Sequence, residues 1–348
     1  MTEEAVRASF AQQAQWCEEF GSPFTSRLLA GLGQHLDRST LTGRNTLDWV
    51  GISDPVFDAL ALRLAGALHA LVRRGQAGRL ADLYPPAPLP ETGDLTERAL
   101  ETIAAQDEGI AAFLTHAPQT NEVARSAMLY AGFMEIASRT GLPLATYELG
   151  ASAGLNMISD RYGYQFGDGR AGDPSSPLQI APDWEGGQPI GRPRIAARYG
   201  CDLNPLDMTN SDERDRMIAY IWPDQPLRLS RVEAAIELAL KAPPRIDAAD
   251  GVTWVTEKLR PDAWHGVVRV LYHSIAFQYF PEAAKQAISL HMEALGAQAT
   301  AEAPLAWLSF ENRADGGAEL VLALWPSGQP VILAHSDAHV RRVRWLAA

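Results

Sequence analysis

The feature that most narrows the fold is a change of pattern at Gly141. Before it, apolar residues recur at spacings of three and four; after it, short β-branched and aromatic runs alternate with helical stretches. The second pattern predicts a largely parallel sheet covered by helices on both faces. "LATYEL", "IAARYGCDL", a short "RI" before Asp247, "GVVRVLYH" and "LAWLSFE" read as five parallel strands. "ELVLALWPSGQPVILAH" adds two strands across a Pro/Ser/Gly turn too short for a crossover helix, so that pair is antiparallel. The expectation is an α/β fold with a seven-stranded sheet, five strands parallel and the last two a C-terminal hairpin.

Residues 1–140 read as a helical cap or bundle, and 141–348 as the sheet domain, with a Gly/Pro-rich insertion at about 163–192 that contains the alternating "YGYQFGDG". In the helical part, Ser22 stands as an N-cap before Pro23, a residue favoured at the first helical position. In "PVFDALALRLAGALHALVRRG", Phe57, Leu60, Leu64, Leu68 and Leu71 share one side, and Gly75 ends the run. "YPPAPLPETG" is a stiff connector.

Composition bears on partners. A formal net charge of -12 repels phosphate backbones and acidic lipid, so nucleic acid and membrane surfaces are poor partners and a small-molecule substrate is the better expectation. Arg341, Arg342 and Arg344 form a short basic cluster that reads as a solvated strand face. Cys17 and Cys201 are far apart and unpatterned, and no apolar run reaches the length of a membrane span, so the expected location is cytoplasmic. The start "MTEEAVRASF" does not read as a secretory signal.

The chemistry concentrates in "YELGASAGLNMISDRYG". Glu148 ends the first strand, and Gly150, Ser152 and Gly154 follow as a tight turn ahead of a helical stretch. Ligands of open α/β sheets bind at that end of the strands, and small residues let them lie against the backbone. The stretch resembles the first motif of class I S-adenosylmethionine-dependent methyltransferases, an acid followed by G-x-G-x-G. Serine at 152 departs from it. The resemblance implies a Rossmann-like methyltransferase fold and S-adenosylmethionine as cofactor, with Glu148, Gly150, Ser152 and Gly154 around it. It also implies an acid ending the second strand, offered by Asp202, and another after the third, offered by Asp247 or Asp250. The expected chemistry lies at the tip of the fourth strand, in "LYHSIAFQYFP", where His273 is a candidate base and Gln278 and Tyr279 are candidates to orient a substrate.

"PQTNEVARS" sets Asn121 and Arg125 one helical turn apart, with Glu122 between them; the three are candidates to hold a polar substrate group. His335 and His339 stand four apart in "HSDAH" without a third ligand, so no metal site is assigned. Trp307, Phe310 and Trp325 read as core.

"GASAG" is also a literal G-x-S-x-G, the nucleophile elbow of α/β-hydrolases, which would make Ser152 a nucleophile. A dinucleotide fingerprint fails because Gly, Ser and Leu occupy 150, 152 and 155. A non-catalytic ligand-binding protein on a methyltransferase fold is the third possibility. The whole chain resembles an uncharacterised bacterial family, a domain of unknown function, through "GSP", "PQTNE", "E-x-G-x-S-x-G-L-N", "D-L-N-P-x-D" and "YHS-x-x-x-QY". That resemblance implies a methyltransferase-like fold behind a helical region.

Overall fold

The computed structural model describes residues 2–347 apart from 54, 56, 120 and 261–264. Contacts divide the chain into two compact units, Met1–Thr120 with Asn210–Ser230, and Asn121–Thr209 with Arg231–Ala348. The expected division at residue 140 therefore lies one helix later than the contacts put it.

The first unit is helical: α1 (Glu3–Glu19), α2 (Pro23–His35), α3 (Leu41–Leu47), α4 (Leu60–Arg73), α5 (Thr92–Ala105) and α6 (Asp107–Phe113), joined by α8 (Ser211–Ala219). In α1, Val6, Phe10, Ala14 and Cys17 fall on the buried side, and the Thr2 hydroxyl accepts from the Ala5 amide at the start. Leu60, Leu64 and Leu68 of α4 are buried as their spacing requires. Phe57 is not: it is 69 % exposed and precedes the helix. The Asp58 carboxylate accepts from the Trp49 indole and the Ile52 amide, and Ala59 turns left-handed at φ 48°, so the chain bends before the apolar repeat can start. Ser22 stands at the N-cap of α2, yet its side chain makes no cap bond. It hydrogen-bonds Asp224, whose other oxygen accepts from the Phe24 amide at 2.9 Å. The cap is thus supplied from the returning segment.

The second unit is built on a nine-stranded mixed sheet. Its parallel part comprises β1 (Leu144–Leu149), β6 (Ile195–Asp202), β7 (Ile246–Ala248), β8 (Val268–Ser274) and β9 (Leu305–Asn312). They lie side by side as β7-β6-β1-β8-β9, so the strand order reverses beside β1. β10 (Ala318–Trp325) and β11 (Pro330–Ser336) continue the sheet as an antiparallel meander from β9. Two strands exceed the seven expected. β12 (Arg342–Trp345) pairs antiparallel with β11, and the outermost β5 (Asp183–Glu185) comes from the insertion and runs parallel to β12. Exposed Arg342 and Arg344 alternate with buried Val343 and Trp345, so one face of β12 is solvated. The rest of the insertion forms a small sheet of β2 (Gly163–Phe166), β3 (Gly169–Gly172) and β4 (Gln179–Ile180).

Alternation sorts the two faces of the parallel strands. Ala145, Tyr147 and Leu149 of β1, Leu271 of β8 and Leu305 of β9 pack with Trp254 and Val255 of α10 (Gly251–Lys258) and Ile288, Met292 and Leu295 of α11 (Glu282–Gly296). On the other face lies α7 (Ser126–Thr140), whose Phe133 meets Tyr272 edge-on at 5.2 Å. Gly132 of α7 is needed there, because a Cβ would stand 2.6 Å from both methyls of Leu308. This packing puts α7 with the sheet. Helix α9 (Pro226–Lys241) runs across the boundary drawn at Ser230. Among the described residues no helix is long and apolar enough to cross a membrane.

Candidate functional site at the carboxyl ends of the central strands

Glu148 lies on β1 in register with Gly200 of β6 and Tyr272 of β8, one step from the end of its strand. It is buried, and the Tyr272 hydroxyl donates to its Oε2 at 2.9 Å. Burial raises the Glu148 carboxyl to about 8, against the stabilising bond from Tyr272 and with a smaller push from the Asp202 charge. At neutral pH this acid is therefore largely protonated. Strand-order reversal beside β1 makes this end of the sheet the expected ligand crevice.

The turn after Glu148 has three left-handed residues, Gly150 at φ 69°, Ser152 at 52° and Gly154 at 70°. Serine at 152 costs about 1–2 kcal/mol in that region, and the structure holds it by two bonds. Its amide donates to Asp202 Oδ2 at 2.9 Å and its carbonyl accepts from Leu206. The glycines are also used by the protein's own packing. A Cβ on Gly150 would stand 2.6 Å from the Ala276 methyl, and one on Gly154 2.7 Å from Pro244 Cγ. The turn is thus wedged between neighbouring loops as well as lying at the strand end.

Asp202 and Asn121 both serve this turn. Asp202 takes the Ser152 amide on one oxygen and the Asn204 amide on the other, and Asn121 Oδ1 takes the Leu155 amide at 2.8 Å. Glu122 is buried, with Arg231 at 3.9 Å from one oxygen and His339 Nδ1 at 3.3 Å from the other. Arg125 spans two loops, donating to the carbonyls of Ser274 and Ala338. The structure thus brings Asn121, Glu122 and Arg125 to the turn and to the tip of β8, with their side chains engaged by the protein. Two buried side-chain atoms of the same turn find no partner among the described residues, Ser152 Oγ and Asn156 Oδ1.

His273 differs from its expected role as a base. It is buried; its Nδ1 lies 2.7 Å from Glu311 Oε1, and its Nε2 is 2.9 Å from the Trp307 indole nitrogen. An indole N–H only donates, so Nε2 accepts and Nδ1 carries the proton that goes to Glu311. Both ring nitrogens are engaged. A base needs a lone pair facing its substrate, and His273 has none to offer here.

Glu311 is a site residue that no motif of the sequence marks, although it is an acid one residue from the end of the fifth strand. Besides His273, its carboxylate accepts the amides of Ala276 and Phe277 on Oε1 at 3.1 Å each and that of Gln278 on Oε2 at 3.2 Å. Burial pushes its carboxyl up, but His273 and the Ala276 and Phe277 amides together hold it below the usual range. The loop it grips begins with Ile275 at φ 46°, a β-branched residue in the left-handed region. Gln278 Oε1 accepts weakly from the Asn312 amide at 3.4 Å, and Tyr279 is 62 % exposed.

The remaining candidates turn elsewhere. Asp247 accepts from the Trp254 indole and lies 3.1 Å from Lys258, which lowers its carboxyl, the indole bond first. Asp250 caps α10 through the Thr253 amide. Both acids thus anchor α10. His335 is 3.9 Å from Glu319 while His339 faces Glu122, so the two imidazoles serve different acids. Among the described residues no group of three metal-ligating side chains converges.

Residues 7–345 match a family described as "Uncharacterized protein conserved in bacteria (DUF2332)". The chain belongs to this family. Membership covers both the helical unit and the sheet, including every candidate residue named above. No curated protein and no solved structure matches the chain.

Proposed function

We propose that this member of the family binds S-adenosylmethionine, or a close relative of it, at the carboxyl ends of β1, β6 and β8, on a Rossmann-like methyltransferase fold, and transfers its methyl group to a small molecule. One observation carries the reading. A buried acid, Glu148, lies one residue from the end of the strand at which the order reverses, and a left-handed small-residue turn begins two residues after it. The order β7-β6-β1-β8-β9 supports it, being the third-second-first-fourth-fifth order of doubly wound sheets.

The donor set fits such a ligand. Ser152 Oγ and Asn156 Oδ1 are buried oxygens without partners among the described residues, and like the Glu148 carboxyl they are acceptors of the kind an ammonium needs. Asp202 is part-exposed, and each of its oxygens keeps a lone pair beyond its amide bond for hydroxyl donors. When bound, the sulfonium supplies an activated methyl. The chain's own contribution is to bind and align: Asp202 and Asn121 fix the turn, and Arg125 fixes the loops at Ser274 and Ala338. With no nitrogen free on His273, the reading is restricted to acceptors whose attacking atom needs no base from that residue.

The saturation of His273 favours one second reading, a protein that binds this ligand without turning it over. The hydrolase reading finds less support, since a serine nucleophile needs a base and Ser152 Oγ has no partner among the described residues. Calorimetric titration with S-adenosylmethionine and S-adenosylhomocysteine, on wild type and Glu148→Ala, tests the proposal. Saturable binding that the substitution weakens supports it; wild type that takes up neither compound sinks it.

A further inference from the structure

We infer that Glu311 is the positioning residue of this site, acting through the 275–279 loop without touching the ligand; the inference rests on the reading of the site given above. Three consecutive amides, those of Ala276, Phe277 and Gln278, converge on one carboxylate, and His273 adds a fourth donor. Consecutive amides curled round an anion form a nest, and here the anion is the chain's own. The Trp307 indole fixes the tautomer in which His273 donates to Glu311, and Phe277 stacks on the imidazole at 4.7 Å. The Ile275 amide is held by the Phe310 carbonyl at 2.7 Å, which ties the left-handed residue to the same strand as Glu311.

The loop so fixed bears directly on the turn. The Ala276 methyl sits where a side chain on Gly150 would be, so the position of one sets the position of the other. Ser274, at the foot of the loop, receives Arg125 through its carbonyl. Exposed Tyr279 follows at the far end. Glu311 is therefore joined by short contacts to the Gly150 turn and to the exposed end of the loop.

The test compares wild type, Glu311→Gln and Glu311→Ala by two measurements, hydrogen exchange of residues 275–279 and calorimetric titration with S-adenosylhomocysteine. Loss of bonds to a charged acceptor predicts amide exchange at least about tenfold faster, and binding about tenfold weaker, in Glu311→Ala. Glu311→Gln, which keeps a carbonyl oxygen for the amides, is expected between the two. An unchanged exchange rate in a folded Glu311→Ala overturns the inference, as does faster exchange with affinity kept within twofold. If Glu311→Ala does not fold, the same comparison is made with Glu311→Gln. If wild type binds no S-adenosylhomocysteine, the proposed ligand fails, whereas the exchange data still decide whether Glu311 sets the loop.

Discussion

Tyr272 donates its hydroxyl to Glu148 at 2.9 Å, both side chains being buried. The bond favours the charged carboxylate, yet burial outweighs it and the acid titrates near 8. A raised acid binds its proton more tightly folded than unfolded, so its contribution is fully present below the unfolded value near 4.5 and falls as pH rises towards 8. Replacing it by Glu148→Gln should remove this slope. Denaturant melts between pH 5 and 8.5 should show wild type losing ground to the variant, by at most about 1.4 kcal/mol per pH unit. Parallel curves for the two proteins would mean that Glu148 is not a protonated acid in the fold.

A cationic ligand beside Glu148 favours its charged form. Binding of S-adenosylmethionine at neutral pH is therefore expected to release a proton, and affinity should climb with pH until about 8 and then level off. Titration in buffers of different ionisation enthalpy measures that proton directly. No proton release, with binding intact, would move the sulfonium or ammonium away from this acid.

Ser152 combines a left-handed backbone with a buried hydroxyl that has no partner among the described residues. Ser152→Gly should relieve both while adding some freedom to the unfolded chain, for a net gain of up to about 1 kcal/mol in thermal or chemical melts. A fluorophosphonate probe should leave wild type unlabelled. Labelling that Ser152→Gly abolishes would revive the nucleophile.

Gly132 faces Leu308 with no room for a methyl group. Gly132→Ala should cost about 1–3 kcal/mol through overpacking, and Leu308→Ala in the same chain should recover part of that loss. Additive effects of the two substitutions, measured as a double-mutant cycle, would contradict the contact.

β1 and β8 are legible because each is a largely apolar, aromatic or β-branched run, as "LATYEL" matching β1 shows, whereas β7 is only Ile246–Ala248 and runs through Asp247 instead of ending before it. β5 was hidden: "DWE" has three residues, two of them acidic, and is a strand only because β12 offers it an edge. Phe57 carries the apolar period yet lies outside α4, because the bonds of Asp58 to Trp49 and Ile52 leave no periodic trace. At the site, the acid and the small-residue turn are visible as a spacing. What Asp202, Asn121 and His273 hold at the site is not, since each bonds there to a residue at least 34 positions away. In the sequence Glu311 is only an acid at a strand end; its four donors come together only in the fold.

The Asp224 cap on α2 has a temporal side. The helical unit is interrupted in the chain, resuming at Asn210 after Thr120. At a synthesis rate of roughly 5–20 residues per second, its first six helices emerge several seconds before the residue that finishes α2. A nascent chain therefore carries an incompletely capped helical layer while β1 and β6 are still being made, and that interval is when chaperone contact with the N-terminal helices is most to be expected.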